Sequence, residues 1–349
     1  MDVSIIIVNW NSTAFVEKCL KSIYENAGAL DFEVVVVDNA SGDGCREMVR
    51  RDFSRVHFIQ SERNLGFAGA NNIGARRCSG RNLLFLNPDT EIIGTALQSL
   101  INVLDRTHDA GIVGPKLLNS DLSVQASCIQ RFPSILNQVL DSEFLRGLFP
   151  RSALWGTHPL LEDSAQPVSV DVIAGACLMI KADVFAKLGG FDTGYFMYAE
   201  DVDLCFSAAR MAWKNYYVSS ASVVHHGGRS SDAQSENHFA ATVMRESVYK
   251  FLRNKRGPIY AAYFRWVIAG AALLRIGLLC IGVAVSNEPQ GALRKVALQR
   301  WVRLFRWAIG QEKWAAELGA ETAAKNERLT TTRPYMRNSK ELSGVRNLR

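Results

Sequence analysis

The sequence predicts an α/β fold with a mostly parallel sheet flanked by helices, and three observations carry that prediction. Short apolar, β-branched runs alternate with stretches of helical spacing through the first hundred residues. This βαβα order implies parallel strands joined by right-handed crossovers. The runs also end in Asn, Asp or Gly clusters, which is where a sheet of this kind exposes its ligand-binding rim.

The elements follow in order. Residues 4–8 form a continuous apolar run and read as a buried strand, after which Phe15, Cys19, Leu20 and Ile23 fall at helical spacing. Residues 33–37 and 56–59 are the second and third strands, 68–78 a helix, 82–86 the fourth strand and 96–104 another helix. Residues 119–170 carry Pro133, Pro150, Pro159 and Pro167 and read as loops, a short helix and an antiparallel edge. Order returns over 168–180. From about 245 the chain turns aromatic, basic and apolar, and from Gly319 it is a polar tail expected to be mobile.

With 349 residues, 48% of them hydrophobic, the chain suits one large domain or one domain with an appendage. The expected division is a catalytic domain over 1–245, its halves meeting near 118, then a helical region over 246–318 and the tail over 319–349. Seven scattered cysteines without a CxxC pair read as reduced thiols. No signal peptide is expected, because the first apolar run has no basic lead and meets Asn9 too soon. Charge is uneven. Between 250 and 307 eleven Lys and Arg face one acid, Glu288, a local net of +10 that leaves −4 elsewhere in a chain of net +6. The protein as a whole is therefore not a polyanion binder, and no nucleic-acid motif is present.

The strand ends hold the chemistry. Strand one closes in Val8-Asn9-Trp10-Asn11-Ser12, strand two in Asp38-Asn39-Ala40-Ser41-Gly42-Asp43-Gly44 and strand four in Asn87-Pro88-Asp89-Thr90. Any one of these could be a simple turn; three on successive strands point to a ligand site. A buried aspartate at such an end can accept from the imide N–H of uracil or thymine. No GxGxxG follows strand one and no Walker A lysine motif occurs, so a dehydrogenase or P-loop reading is weak. A diphosphate bound here would call for another partner, and a divalent cation held by Asp89 is the natural one.

Asp38-Asn39-Ala40-Ser41, the run from Asn64-Leu65-Gly66-Phe67 to Asn71-Asn72-Ile73-Gly74, and Leu86-Asn87-Pro88-Asp89 resemble family 2 glycosyltransferases of the GT-A fold. So do Gly175-Ala176-Cys177, Gly189-Gly190-Phe191-Asp192, Glu200-Asp201-Val202-Asp203 and Val224-His225-His226-Gly227-Gly228-Arg229. The resemblance covers roughly residues 3–232 and is strongest to the bacterial rhamnosyltransferase-like branch. It implies that Val8, Asn9 and Asn11 line a nucleobase pocket, that Asp38 reads the base, and that Asn39, Asn64, Gly66, Phe67 and Asn71 lie along the nucleotide. It sets Asn87-Pro88-Asp89 where the family has its DxD motif. Asn87 replaces the first carboxylate, which leaves Asp89 as the charged metal ligand of that motif.

Inverting sugar transfer needs a base for the acceptor hydroxyl, a held donor and a stabilised leaving diphosphate. Asp201 is the general base implied by the resemblance, and Glu200 the next candidate. Read without it, these acids would simply complement a helix start. His225 is expected to join Asp89 at an Mg²⁺ or Mn²⁺ ion. Gly175, Ala176, His226 and Arg229 are expected near the acceptor or the phosphates. His57, His108, His158 and His238 receive no role.

Residues 266–285 are apolar except for a central Arg275, long enough to span a bilayer but costly there. The basic helical stretch that follows, with Trp301 and Trp307, has the pattern of a segment lying on anionic lipid. A helix pair packed on the catalytic domain, or an oligomer contact, is the competing reading. The expected protein thus binds a dTDP- or UDP-sugar, a lipid-linked or polysaccharide acceptor and, through 258–307, a membrane surface at the cytoplasmic face of a bacterial inner membrane. It does not bind nucleic acid, and its oligomeric state is left open. The alternatives are a UDP-hexose transferase of the same family and a catalytically silent relative serving as a scaffold. Nucleotidyl transfer is weaker, because it would need a basic glycine-rich loop after strand one.

Overall fold

The computed structural model describes residues 1–140, 149, 152, 154–156, 164, 166–227, 236–284 and 288–318. Arg229 and the tail from Gly319 lie outside the described residues. The centre is a nine-stranded sheet built from β1 (Val3–Asn9), β2 (Phe32–Asp38), β3 (His57–Gln60), β4 (Asn82–Leu86), β5 (Thr90–Ile93), β6 (Ala110–Leu118), β8 (Val168–Val170), β10 (Cys177–Lys181) and β11 (Lys214–His225). β7 (Ile129–Gln130) and β9 (Val172–Ile173) pair separately.

The order is β3-β2-β1-β4-β10-β6-β11-β5, with β8 beside β11. Strands β1 to β4 pair in parallel. β10 is antiparallel to both β4 and β6, so β6 and its parallel partner β11 run with β1. Among the described strands β5, β8 and β10 oppose that direction, and the sheet is mostly parallel as the βαβα order predicts.

Helices α1 (Thr13–Asn26), α2 (Cys45–Asp52), α3 (Gly66–Ala75) and α4 (Ala96–Arg106) cover the faces. α1 buries Val16, Cys19, Leu20 and Ile23, the i, i+3, i+4, i+7 set of one helix face. After the short α5 (Ile135–Leu140) come α6 (Ala182–Leu188) and α7 (Glu200–Arg210), then α8 (Glu236–Arg256), α9 (Pro258–Ala284) and α10 (Glu288–Ala308).

Two elements escaped the periodicity. β6 contains Gly111, Gly114 and Pro115, which break its apolar run. A Cβ on Gly114 would lie 2.1 Å from the Ile173 side chain and one on Gly111 2.7 Å from Trp213, so these glycines make room for close packing. β11 is far longer than its apolar end at 222–224 suggests. Two of its polar side chains are buried and donate inward: Asn215 to the carbonyls of Asp171 (2.7 Å) and Cys205 (3.3 Å), and Ser219 to that of Ser164 (2.8 Å).

One large apolar cluster joins the sheet to the C-terminal helices. Val248, Phe251 and Leu252 of α8, Ala261, Phe264 and Ile268 of α9, and Trp307 of α10 belong to the same buried cluster as the sheet residues.

Candidate active site

Because the sheet is mostly parallel, β1, β2, β4, β6 and β11 end on one rim, and the antiparallel β5 and β10 start there. Asn9, Asp38, Asn87, Asp89, Gly175 and His225 all belong to this rim.

Asn9, fully buried, organises its first part. Its amide donates to Asp38 Oδ2 (2.8 Å), Ser41 Oγ (3.2 Å) and Asp43 Oδ1 (3.2 Å), and its oxygen accepts from Ser12 N and Oγ. Asp38 Oδ1 accepts from the Ser41 amide (2.8 Å) and from Gln60 Nε2 (2.6 Å). Asp43 accepts from Thr13 N at the start of α1. Its acidity is raised: although burial opposes ionisation, the hydrogen bonds from Thr13 and Asn9 outweigh it and hold the pKa below the usual value. Asn11 sits in a left-handed conformation (φ 52°) with its amide on Ser41 Oγ, and Val8 packs on Val35, Val37 and Ala70. Asp43 and Gln60 were not singled out in the sequence, although Gln60 is the polar residue that closes strand three.

The second part is the turn entering α3. Asn39 donates to Asn64 Oδ1 (2.9 Å) and accepts from Leu65 N (2.8 Å), while Asn64 Oδ1 also accepts from Gly66 N (2.9 Å). Gly66 has φ +69°, and a Cβ there would meet the Phe196 carbonyl oxygen at 2.3 Å. The same carbonyl accepts from Phe67 N (3.0 Å). Asn72, read in the sequence only as motif, exchanges two hydrogen bonds with the Phe191 backbone (2.9 and 3.0 Å). These contacts join the turn to the loop that leads into α7. Asn71 is buried, donating to Phe67 O within its own helix (3.0 Å).

The third part is a carboxylate and an imidazole. His225 Nε2 lies 3.5 Å from Asp89 Oδ1 and 3.5 Å from Asn87 Nδ2. His225 Nδ1 is 3.0 Å from Gln125 Oε1, while Gln125 Nε2 donates to His225 O (2.6 Å). An amide oxygen only accepts, so Nδ1 donates to Gln125, and Nε2 faces Asp89 and Asn87. Gln125, from an irregular stretch with no sequence signal, is thus the residue that orients His225. His226 is spanned by Ser120 Oγ (2.8 Å) and Glu91 Oε1 (2.7 Å), and its amide donates to Asp89 O (2.9 Å). Among the described residues no three His, Cys, Asp or Glu side chains converge on one point. Asp89 and His225 would therefore leave most positions around a cation to phosphate oxygens and water, the arrangement Mg²⁺ and Mn²⁺ accept readily. The donor set fits such an ion.

The fourth part is the start of α7. Asp201 Oδ2 accepts from Gly175 N (2.7 Å), and Oδ1 from Val202 N (2.8 Å). Next to Gly175, Ala176 O accepts from Asn87 N (2.9 Å), so one short segment ties Asp201 to the Asn87–Asp89 turn. Glu200 is buried, and among the described residues its Oε2 has no hydrogen-bond partner. Burial, and then the charge of Asp201, push its pKa up to about 8. Burial also raises that of Asp201, against the pull of its two backbone donors. The residues just before, Tyr198 and Ala199, have positive φ (69° and 62°), strain of the kind that gathers at functional sites. Asp203 is engaged elsewhere, by Tyr195 Oη (3.0 Å) and Lys255 Nζ (3.0 Å).

The fold is that of the GT-A glycosyltransferases. The chain is similar to a mannosyltransferase from Pyrobaculum calidifontis solved with GDP-Man and Mn²⁺, with a TM-score of 0.55 and 20% identity over 88% of this chain and 86% of that one. It is also similar to GalNAc-T7 solved with UDP, GalNAc and Mn²⁺, with a TM-score of 0.56 and 17% identity over 75% and 50%. The model of glycosyl transferase family 2 matches residues 4–188, and the chain belongs to that family. It is 29% identical over 289 residues to the N-acetylglucosaminyl-diphospho-decaprenol L-rhamnosyltransferase of Mycobacterium tuberculosis, covering 79% of this chain and 92% of that protein. To rhamnosyltransferase WbbL of Escherichia coli it is 23% identical, covering 73% and 94%. The protein is a glycosyltransferase.

Proposed function

We propose that this enzyme transfers a sugar, with inversion, from a nucleotide-diphospho-sugar to a hydroxyl of a lipid-linked glycan at the cytoplasmic face of a bacterial inner membrane. The observation that carries the mechanism is the short link from Asp201 through Gly175 and Ala176 to the Asn87–Asp89 turn. It joins a candidate base for the acceptor to a candidate site for the leaving group on a single rim.

In this reading Asp201 takes the proton from the acceptor hydroxyl. Its two backbone donors favour the ionised form, and Glu200, buried with one oxygen unpartnered and beside the charge of Asp201, holds the proton of the pair. The Gly175 amide aims the carboxylate. Asp38, braced by Asn9, Ser41 and Gln60, reads the pyrimidine base of the donor, and the Asn64–Phe67 turn lies along the nucleotide. Asp89 and His225 would hold a divalent cation, which when bound supplies Lewis-acid stabilisation of the leaving diphosphate. Gln125 holds the His225 ring through Nδ1, so that Nε2 is the nitrogen turned to that position. His226 is assigned to the phosphate side.

The donor favoured is dTDP-L-rhamnose, because the relatives that match most of the chain are named rhamnosyltransferases; a UDP-hexose is the alternative. The lipid-linked acceptor is supported by the decaprenol-linked substrate in the name of one of them. The basic helical region over 258–307 brings the site to the membrane surface.

The test is nucleoside diphosphate release from a panel of dTDP- and UDP-sugars, with Mg²⁺ or Mn²⁺ and a membrane lipid extract as acceptor source. Release is expected from one donor, dependent on metal, and reduced about 10³-fold by Asp201→Asn, with nucleotide affinity within a few-fold of wild type. Full turnover in that variant would remove Asp201 as the base. Nucleotide binding without release from any donor would favour the catalytically silent relative.

A further inference from the structure

α9 has the length and apolarity of a membrane span: 258–281 has a mean hydropathy of 1.8. Its two faces differ sharply. One is built into the protein. Ala261, Phe264, Ile268, Ala269 and Ala272 are buried. Arg265 lies over the rings of Tyr249 (5.1 Å) and Trp307 (5.0 Å) and donates to the carbonyls of Trp307 and Ala308. Arg275 donates to Val139 O in α5 (3.2 Å) and lies 4.3 Å above the Trp301 ring.

The other face is open. Ile259 is 86% exposed, Trp266 74%, Leu274 66%, Leu278 61% and Ile281 68%, with Tyr263 and Leu273 also exposed. Their spacing of three and four residues draws one apolar stripe along the whole helix. Exposed cations lie on the two helices packed against α9: Arg253 and Arg256 in the last turn of α8, and Lys295, Arg300 and Arg303 on α10.

A spanning helix is incompatible with this. One face of the helix, from Ala261 to Ala272, is packed into the protein. The stretch from 273 to the end of α9 at Ala284 is twelve residues, about 18 Å long at 1.5 Å per residue, against about 30 Å of hydrocarbon. Threading the bilayer would also strip Arg265 and Arg275 of their partners.

We propose that α9 lies in the plane of the membrane, with the Ile259–Ile281 stripe sunk into one leaflet of anionic phospholipid and the neighbouring cations on its headgroups. This makes the protein a monotopic enzyme docked by a face of its own folded core. The inference rests on the reading that the enzyme works at a membrane surface, and it specifies how. Charge complementarity selects the occupant: a bare apolar stripe would suit a second copy of the chain, but one whose packed neighbouring helices carry exposed Arg and Lys suits a negatively charged interface.

The experiment is flotation of the full chain with vesicles of phosphatidylcholine alone or mixed with phosphatidylglycerol, plus alkaline carbonate extraction of the bound protein. Leu274→Glu with Leu278→Glu is the first variant and Arg300→Glu with Arg303→Glu the second. All four positions are exposed, so the fold is expected to persist, checked by thermal melting and nucleotide binding. The wild type should float with the anionic vesicles and be released by carbonate. Each double variant should lower partitioning by roughly tenfold or more, and Trp266 fluorescence, read against Trp266→Phe, should be quenched by brominated acyl chains. Retention after carbonate would overturn the in-plane orientation in favour of a span. Undiminished flotation of the leucine variant would overturn insertion. Absence of flotation, with a dimer in sedimentation that the leucine variant disperses, would assign the stripe to a second copy; absence of flotation alone would also overturn the proposal. Vesicle binding needs neither donor nor acceptor. Its failure therefore leaves sugar transfer standing, and a protein that floats but releases no nucleotide fails only the transferase proposal.

Discussion

Glu200 and Asp201 are neighbours in sequence with opposite surroundings. Asp201 has two backbone N–H donors; Glu200 has a buried oxygen without one. An unpaired buried carboxyl resists ionisation, and the ordinary value of 4.5 rises to about 8. Between those two values the folded protein binds a proton that the unfolded chain has lost, so stability falls as pH rises through the window. Glu200→Gln is neutral at every pH and removes that loss. In thermal melts the variant should lose less stability than the wild type between pH 5 and 8, and an unchanged slope would show that Glu200 ionises normally.

At the scale of elements, the turn into α3 couples the two sides of the rim. Gly66 is required there by its positive φ and by the approach of Phe196 O, while Asn72 and Phe191 lock the same two segments. Gly66→Ala must distort the turn or push the 190–199 loop that precedes Glu200. It is expected to cost about 3 kcal/mol by urea denaturation and to weaken nucleotide binding and turnover together. A variant with wild-type stability would mean that the loop gives way freely.

At the scale of the whole molecule, the C-terminal helices are part of the core and not a tether. Trp307 is fully buried, donates to Glu246 (2.7 Å), and packs against Phe264 and the Arg265 guanidinium. Trp307→Ala should destabilise the protein by about 3–5 kcal/mol, measured by guanidinium unfolding of the full chain. Truncation at 258 would expose the same apolar surface, so membrane association is better probed by surface substitutions than by deletion.

Several features were legible in the chain itself. Continuous apolar runs marked β1, β2 and β4, since strands covered on both faces need no polar alternation. The short polar residues closing those runs, Asn9, Asp38, Asn87 and Asp89, marked the rim, because parallel strands end together. β6 and β11 were hidden, one behind glycines that make space for Ile173 and Trp213, the other behind buried Asn215 and Ser219, whose partners are distant in sequence. Gln125 and Gln60 were invisible for the same reason: each matters through a contact with a residue many positions away, His225 or Asp38. The apolar length of α9 could be read from composition, but not which of its faces is free. The sequence by itself determined the order of strands and helices and the types of residue at their ends, since periodicity and turn chemistry are local. Only the tertiary structure decided which of those residues meet, which carboxylate of the Glu200–Asp201 pair is supplied with donors, and that α9 is half core and half surface, because these depend on packing between segments far apart in the chain.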